Sequence, residues 1–461
     1  MAEIIRNNKP LAVSPVKSGQ PLGAILASLG IEHCMPLVHG AQGCSAFAKV
    51  FFIQHFHDPI PLQSTAMDPT STIMGADNNI LTALNTLCQR NNPKAIVLLS
   101  TGLSEAQGSD ISRVVREFRA DAPRFKNIAL LTVNTPDFYG SLENGYSAVL
   151  ESIVEQWLAE KPLPGGRNRR VNLVVSHLFT PGDVELLRSY VEAFGLQPVI
   201  LPDLSQSLDG HLASGDFSPV TQGGTSQRLI EQMGQSLCTF VIGVSLTRTA
   251  ALLGSRCRGE VISLPHMMTM EQCDRFIHQL KQVSGRDVPA WIERQRGQLQ
   301  DAMIDCHMWL QDADIAMAAE GDLLAGWCDF ARSQGMRPGP VVAPVSQPGL
   351  QRLPVDRVVI GDLEDMQDLL CTHPASLLVA NSHAADLADQ FGISLIRAGF
   401  PVYDRLGEFR RVRQGYPGIR DTLFELANIM RERHHHLPTW RSPLRQHFVD
   451  SPVAGEDYAT C

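Results

Sequence analysis

The chain has 461 residues, more than one hydrophobic core usually serves, so two or three domains are expected. Its composition, 44% hydrophobic and 19% charged, is that of an ordinary globular protein, and a net charge of -9 provides no basic surface for nucleic acid. The first ten residues carry no apolar run of signal-peptide length and no later stretch approaches ~18 uninterrupted apolar residues, so a cytoplasmic protein with reduced thiols is expected.

The first informative segment is His39-Gly40-Ala41-Gln42-Gly43-Cys44. It reads as a loop with a cysteine at its tip, in which Gly40 and Gly43 supply positive φ and let a bulky inorganic body approach the backbone. A thiolate is the soft ligand an iron–sulfur cluster requires, but such a cube takes about four ligands. The next hundred residues add only Cys88, and no CxxC pair occurs. Read locally, Cys44 is either one ligand of a shared cluster or a small apolar residue after a turn.

Further along, strand-length apolar runs alternate with amphipathic stretches of helical length, the pattern of parallel α/β domains. Ala95–Ser100 reads as a buried strand, Ser109–Arg119 as a helix and Ile128–Val133 as a strand. The last runs into the loop Asn134–Ser141, at the end of a strand where open α/β sheets place ligands. Leu163–Arg170 reads as a linker. A second unit follows: strand Val171–Ser176, helix Pro181–Phe194, strand Pro198–Leu201, helix Ser226–Met233 and strand Cys238–Val244. A long helix, Trp291–Leu310, opens the third. In it come strand Ile315–Ala319, helix Leu323–Gln334, strands Val341–Pro344 and Val358–Gly361, helix Glu364–Cys371, strand Leu377–Ala380 and helix Ile419–Glu432. The expected domains are residues 1–165, 171–288 and 289–432, with a polar extension over 433–461.

Other candidate motifs read as structural. Gly223-Gly224 and Gly165-Gly166 lack the strand-to-helix setting of a phosphate loop, and no GxxxxGK[ST] occurs. His266 with Cys273 reads as a strand end and helix start, His307 as a residue favouring the negative end of its helix, and His434–His436 as a solvated tract. Without a Gly-x-Ser-x-Gly elbow or an HExxH pair, hydrolase chemistry lacks its nucleophile or zinc cradle.

Four strings in order resemble the nitrogenase-type component proteins. They are Val38–Cys44; Asn134-Thr135-Pro136 through Gly140-Ser141; Glu293-Arg294 with Arg296, Leu299, Asp301-Ala302-Met303, Asp305 and His307; and Arg397–Pro401 with Gly415–Gly418. The likeness spans nearly the whole chain and implies three Rossmann-like α/β domains with parallel sheets. In the family's catalytic β-type subunits, further cluster cysteines stand where this chain has Leu62 and Gly102. The resemblance therefore leaves Cys44 as this chain's single metal ligand, with Gly40 and Gly43 against the cofactor, and argues against an eight-iron cluster.

The large cofactor of the α-type subunits needs a histidine near the final signature, and Arg397 to Glu432 contain none. The resemblance thus points to the β-type subunit of the scaffold on which the iron–molybdenum cofactor is assembled, not an enzyme in its own right. It implies an α2β2 complex, a 4Fe-4S cluster shared with the partner and a cofactor precursor bound mainly by that partner. Transient partners would be the nitrogenase iron protein, the precursor donor and apo-nitrogenase. Two alternatives stay open: the β-type subunit of a nitrogenase-like reductase acting on chlorophyll precursors, and a small-ligand binding module that needs no cysteine.

Overall fold

In the computed structural model, residues 1–6, 9, 12–161, 169–212, 218–347 and 349–435 are described. Most of the expected linker and of the extension from residue 433 lies outside them.

Three fully parallel sheets organise the chain, flanked by helices. The first runs Gln63–Ser64, Cys34–Val38, Ala95–Leu99, Ala129–Val133 across its width. In the second the order is Gln197–Leu201, Arg170–Val175, Cys238–Ile242, Glu260–Leu264. The third has six strands: Glu3–Arg6, Arg357–Ile360, Arg337–Ala343, Asp314–Ala318, Leu377–Ala380 and Ser394–Arg397. Its central strands are apolar on both faces because helices cover both, as parallel sheets require. We propose domain limits near 165 and 289, with one amendment. Glu3 to Arg6 pair residue for residue with Arg357 to Ile360, so the first strand completes the third sheet instead of the first.

The strand Cys34–Val38 lies outside the expected elements, and it contains Pro36, a residue central strands rarely hold. His39 donates its N–H to Leu99 O (2.7 Å), and with alternation along the strand the N–H that Pro36 lacks would point to the opposite side. There the strand Gln63–Ser64 pairs only with Leu37 and Val38, so no ladder bond is lost. The long helix Ala290–Leu310 and the strand Ala95–Leu99 match their expected positions within a residue.

Asp183 fastens the second domain to the third. It lies in the first turn of helix Pro181–Ala193, closing a capping box with Thr180, and accepts N–H bonds from Arg413 and Gln414 (both 2.8 Å). Complete burial raises its pKa from 3.8 to about 6, against the lowering effect of those N–H groups. A raised acid holds its proton more tightly when folded, so its contribution is complete below the unfolded value and lost as pH rises through 6. That two-unit rise corresponds to about 3 kcal/mol. Asp183→Asn cannot titrate, so its stability deficit relative to the parent is expected to shrink by up to that amount between about pH 4 and pH 7. Urea midpoints at the two pH values measure this, and a pH-independent deficit contradicts it.

Candidate metal-cluster site at the edge of the first sheet

In the first sheet the chain leaves Cys34–Val38 toward one neighbour, Gln63–Ser64, and later enters Ala95–Leu99 on the other side. The connections after the two central strands therefore diverge, which opens a crevice at their carboxyl ends, the usual ligand position in open α/β sheets. Four segments are stitched together there. Gly40 O accepts from Ser64 Oγ (3.1 Å) and Met67 N (2.9 Å), and His39 O accepts from Thr101 Oγ1 (2.9 Å). Thr135 donates its N–H to Ser100 Oγ (2.8 Å) and its hydroxyl to Ser100 O (2.6 Å). His39 is fully buried between Thr65 and Ser109, and burial lowers its pKa to about 4, so it stays neutral.

Cys44 sits in the first turn of helix Gln42–Phe56, not at a loop tip. Correspondingly, neither Gly40 nor Gly43 has positive φ, and the expected reason for these glycines is corrected. Gly40 is needed for closeness: a Cβ there would lie 2.9 Å from both Thr101 Cγ2 and Oγ1. At Gly43 a Cβ would meet nothing within 4 Å, so the space beside Cys44 is open. No side chain caps this helix, which leaves first-turn N–H groups available to an anionic group. The Cys44 side chain is exposed at the surface, yet partial desolvation and then the Asp137 carboxylate push its thiol pKa up. A metal bound there has to displace a proton.

Asp137 is the residue that sequence reasoning passed over in this neighbourhood. It lies within the flagged loop Asn134–Ser141, packed between Gly19, where a Cβ would be 2.5 Å from Asp137 Oδ1, and Gly102, where it would be 3.6 Å from Asp137 Cβ. Burial raises the Asp137 pKa, against an N–H bond from Gly102 and the charge of Lys17. Gly102 opens helix Gly102–Gln107, and Leu62 is only 1% exposed within the apolar core, so neither position presents a donor.

Most other cysteines lie inside the fold: Cys34, Cys88, Cys238, Cys273, Cys306 and Cys328 are buried and Cys257 half-buried. Cys371 is exposed, but on helix Leu363–Thr372 of the third domain. Among the described residues, no cluster of three or more metal-ligating side chains includes Cys44. Among the described residues, Cys44 is the exposed thiol at this end of the first sheet. Around it the surface is apolar: Phe47 (71% exposed), Val50 and Ile53 continue along the Cys44 helix, with Ile73, Met74, Phe138 and Tyr139 on neighbouring segments. Helix Pro69–Met74, which carries Ile73 and Met74, is tied to the Gly102 helix by Gln107, whose amide donates to Ser71 O and Thr72 O. Exposed large apolar side chains in such number are a feature of interaction surfaces.

The remaining motifs take structural places. His266 is fully buried; its Nδ1 accepts Met268 N (3.2 Å), which leaves Nε2–H to donate to Asp329 (3.0 Å). Cys273 Sγ donates to Met267 O (3.4 Å), and His307 is exposed in the last turn of its helix. Gly223 and Gly224 have positive φ in a turn, and the His434–His436 side chains fall outside the described residues. Two later signature residues meet on Asp274: Arg296 binds both of its oxygens and Tyr416 Oη donates to Oδ1 (2.6 Å).

A parallel three-sheet architecture with a lone exposed thiol at the first sheet's carboxyl edge defines a member of a known class. Residues 19–431 match the family model described as nitrogenase component 1 type oxidoreductase, and the chain belongs to that family. Within it, the chain is 76% identical to the nitrogenase iron-molybdenum cofactor biosynthesis protein NifN of Klebsiella pneumoniae, across 100% of both chains. It is 40% identical to the protein of the same name from Nostoc sp., covering 93% of this chain and 95% of that one. Among solved structures, one titled nitrogenase Cp1 at pH 6.5 superposes with a TM-score of 0.88 at 27% identity, over 97% of this chain and 98% of the other.

Proposed function

We propose that the chain is the β-type subunit of the scaffold on which the nitrogenase iron–molybdenum cofactor is built. It acts as a scaffold and not as a catalyst. The relatives named NifN support this reading over a chlorophyll-precursor reductase. The observation that carries it is the isolation of Cys44: one exposed thiol beside an open helix start, with Leu62 turned into the core and Gly102 bare. Such a site holds one corner of a 4Fe-4S cluster, and the other ligands come from a NifE-type α subunit seated on the Phe47 face. When bound, the cluster supplies redox-active iron at the subunit boundary. Gly43 keeps the approach free of a side chain, Gly40 lets the segment close on Thr101, Asp137 sets the local charge and the apolar rim excludes water. The cofactor precursor, delivered by a NifB-type protein, is held mainly by the α subunit of an α2β2 complex. The nitrogenase iron protein assists its maturation before transfer to apo-nitrogenase, all within the cytoplasm.

The test is metal analysis of the chain purified with and without a co-expressed α subunit. The chain alone is expected to carry no stoichiometric iron, and the complex to carry cluster iron and molybdenum-free precursor. Four irons per isolated chain, or a bound tetrapyrrole in the complex, overturns the reading. Phe47→Asp is expected to abolish co-purification while leaving the melting temperature of the chain unchanged, since the side chain it replaces is 71% exposed.

A further inference from the structure

Three acids and a histidine converge where the domains meet. Glu143 lies in the first turn of helix Leu142–Trp157, His177 just beyond the strand Arg170–Val175, and Asp322 in the first turn of helix Gly321–Ser333. One ligand atom from each lies within 4.8 Å of the others, and His177 Nε2 is 3.9 Å from Glu143 Oε2. The side chains of Glu143 and His177 are 1% and 2% exposed, and Asp322 is fully buried. The backbone already ties the group together: Asp322 N donates to Glu143 Oε2 (2.8 Å), and Ser245 donates through its N–H and its hydroxyl to Asp322.

The polar atoms left over point to a missing ligand. Both ring nitrogens of His177, Glu320 Oε1 and Ser176 Oγ are buried without a hydrogen-bond partner. An imidazole that is neither donor nor acceptor in the interior is costly, as is a carboxylate oxygen in the same state. Two glycines keep the space between these groups free. A Cβ on Gly243 would stand 2.7 Å from Ser176 Oγ and 2.8 Å from Asp322 Oδ2, and one on Gly321 would stand 3.1 Å from Glu143 Oε1. Among the described residues no lysine or arginine forms an ion pair with Glu143, Glu320 or Asp322. Lys17 acts on Glu320 only at a distance, its ammonium being 3.3 Å from Asp137 O.

We propose that Glu143, His177 and Asp322 bind one divalent cation of the manganese or zinc kind, clamping the three domains together at their junction. Mixed imidazole and carboxylate donors suit these ions. At bond lengths of about 2.0–2.2 Å the donors of such an ion lie roughly 3–4 Å apart, so closure on it takes sub-ångström shifts, and the His177 ring has no competing hydrogen bond to release. The ion supplies the charge the buried acids lack and gives His177 its bond. His177 also lines a cavity of about 70 Å³ together with Trp327, Arg397 and Phe400.

The full-length chain, with whatever subunit accompanies it, is stripped with chelator and titrated with Mn²⁺ under electron paramagnetic resonance. One Mn²⁺ per chain is expected, with spin-echo modulation from a single imidazole nitrogen and a higher melting temperature than the stripped protein. In His177→Ala, which removes a side chain that makes no hydrogen bond, the nitrogen modulation disappears and affinity falls about tenfold or more. Glu143→Gln weakens binding by a similar factor. Cys44→Ala leaves the Mn²⁺ signal intact, which separates this site from the cluster reading. No stoichiometric Mn²⁺ uptake, or uptake equal in the parent and in both ligand variants, overturns the proposal.

Discussion

Gly145→Val is expected to leave no soluble, folded protein, the largest stability effect of any single change considered. Helices Gln20–Leu29 and Leu142–Trp157 cross with their main chains in contact. A Cβ on Gly145 would fall 1.9 Å from Gln20 O and 2.6 Å from Gln20 C, and reciprocally one on Gly23 would fall 1.8 Å from Leu142 O. The obstacles are backbone atoms on both sides, so no rotamer relieves the overlap. Inserting a methyl into a packed core costs about 1–3 kcal/mol where neighbours can move. Here whole helices must separate, and the cost approaches the ~5–15 kcal/mol that holds a domain folded. The damage also reaches the cluster loop, because Gln20 donates to Pro136 O (3.0 Å) and Tyr139 O (2.8 Å) beside Asp137. Soluble yield and circular dichroism measure the result. Gly297→Ala is the control: it lies mid-helix with nothing within 4 Å of the new methyl, and is expected to stabilise by up to ~1 kcal/mol. A folded Gly145→Val protein with parental melting temperature would refute the close crossing.

Cys44→Ala is expected to have the opposite profile, a full loss of cluster iron with no loss of fold. The side chain is exposed, its neighbour Gly43 faces open space, and the bond from its N–H to Ala41 O (3.2 Å) belongs to the backbone, which alanine keeps. Unfolding is therefore expected within about 0.5 kcal/mol of the parent. In the co-purified complex the intersubunit cluster signal disappears and iron falls by the cluster's share, since a corner without a thiolate does not hold at neutral pH. Because the free thiol has a raised pKa, reconstitution of the parent is expected to speed up as pH rises, while the variant shows no pH-dependent uptake. An unchanged cluster in Cys44→Ala sinks the ligand assignment.

How much of this was legible in advance differs by scale. The strands Ala95–Leu99, Cys238–Ile242 and Leu377–Ala380 were plain because each is a short apolar run bounded by polar turns, a local property. The region before residue 90 was opaque because its central strand contains a proline, tolerated only where the neighbouring strand is too short to need the missing N–H. Cys44 stood out by residue type, but its place in a helix was hidden because Gly43 and the uncapped start carry none of the usual signals of a helix beginning. Glu143 and Asp322 gave no signal, since 179 positions separate them and each reads as an ordinary first-turn acid.

Composition and periodicity by themselves determined a parallel α/β chain with one thiol in a glycine-bearing segment and none beside it, because these depend on neighbours in sequence. Only the tertiary structure decided that the first strand completes the third sheet, that Leu62 turns into the core while Cys44 faces out, and that Glu143, His177 and Asp322 share one buried point. Each of those outcomes is set by packing between segments far apart in the chain, where long-range contact overrides local preference.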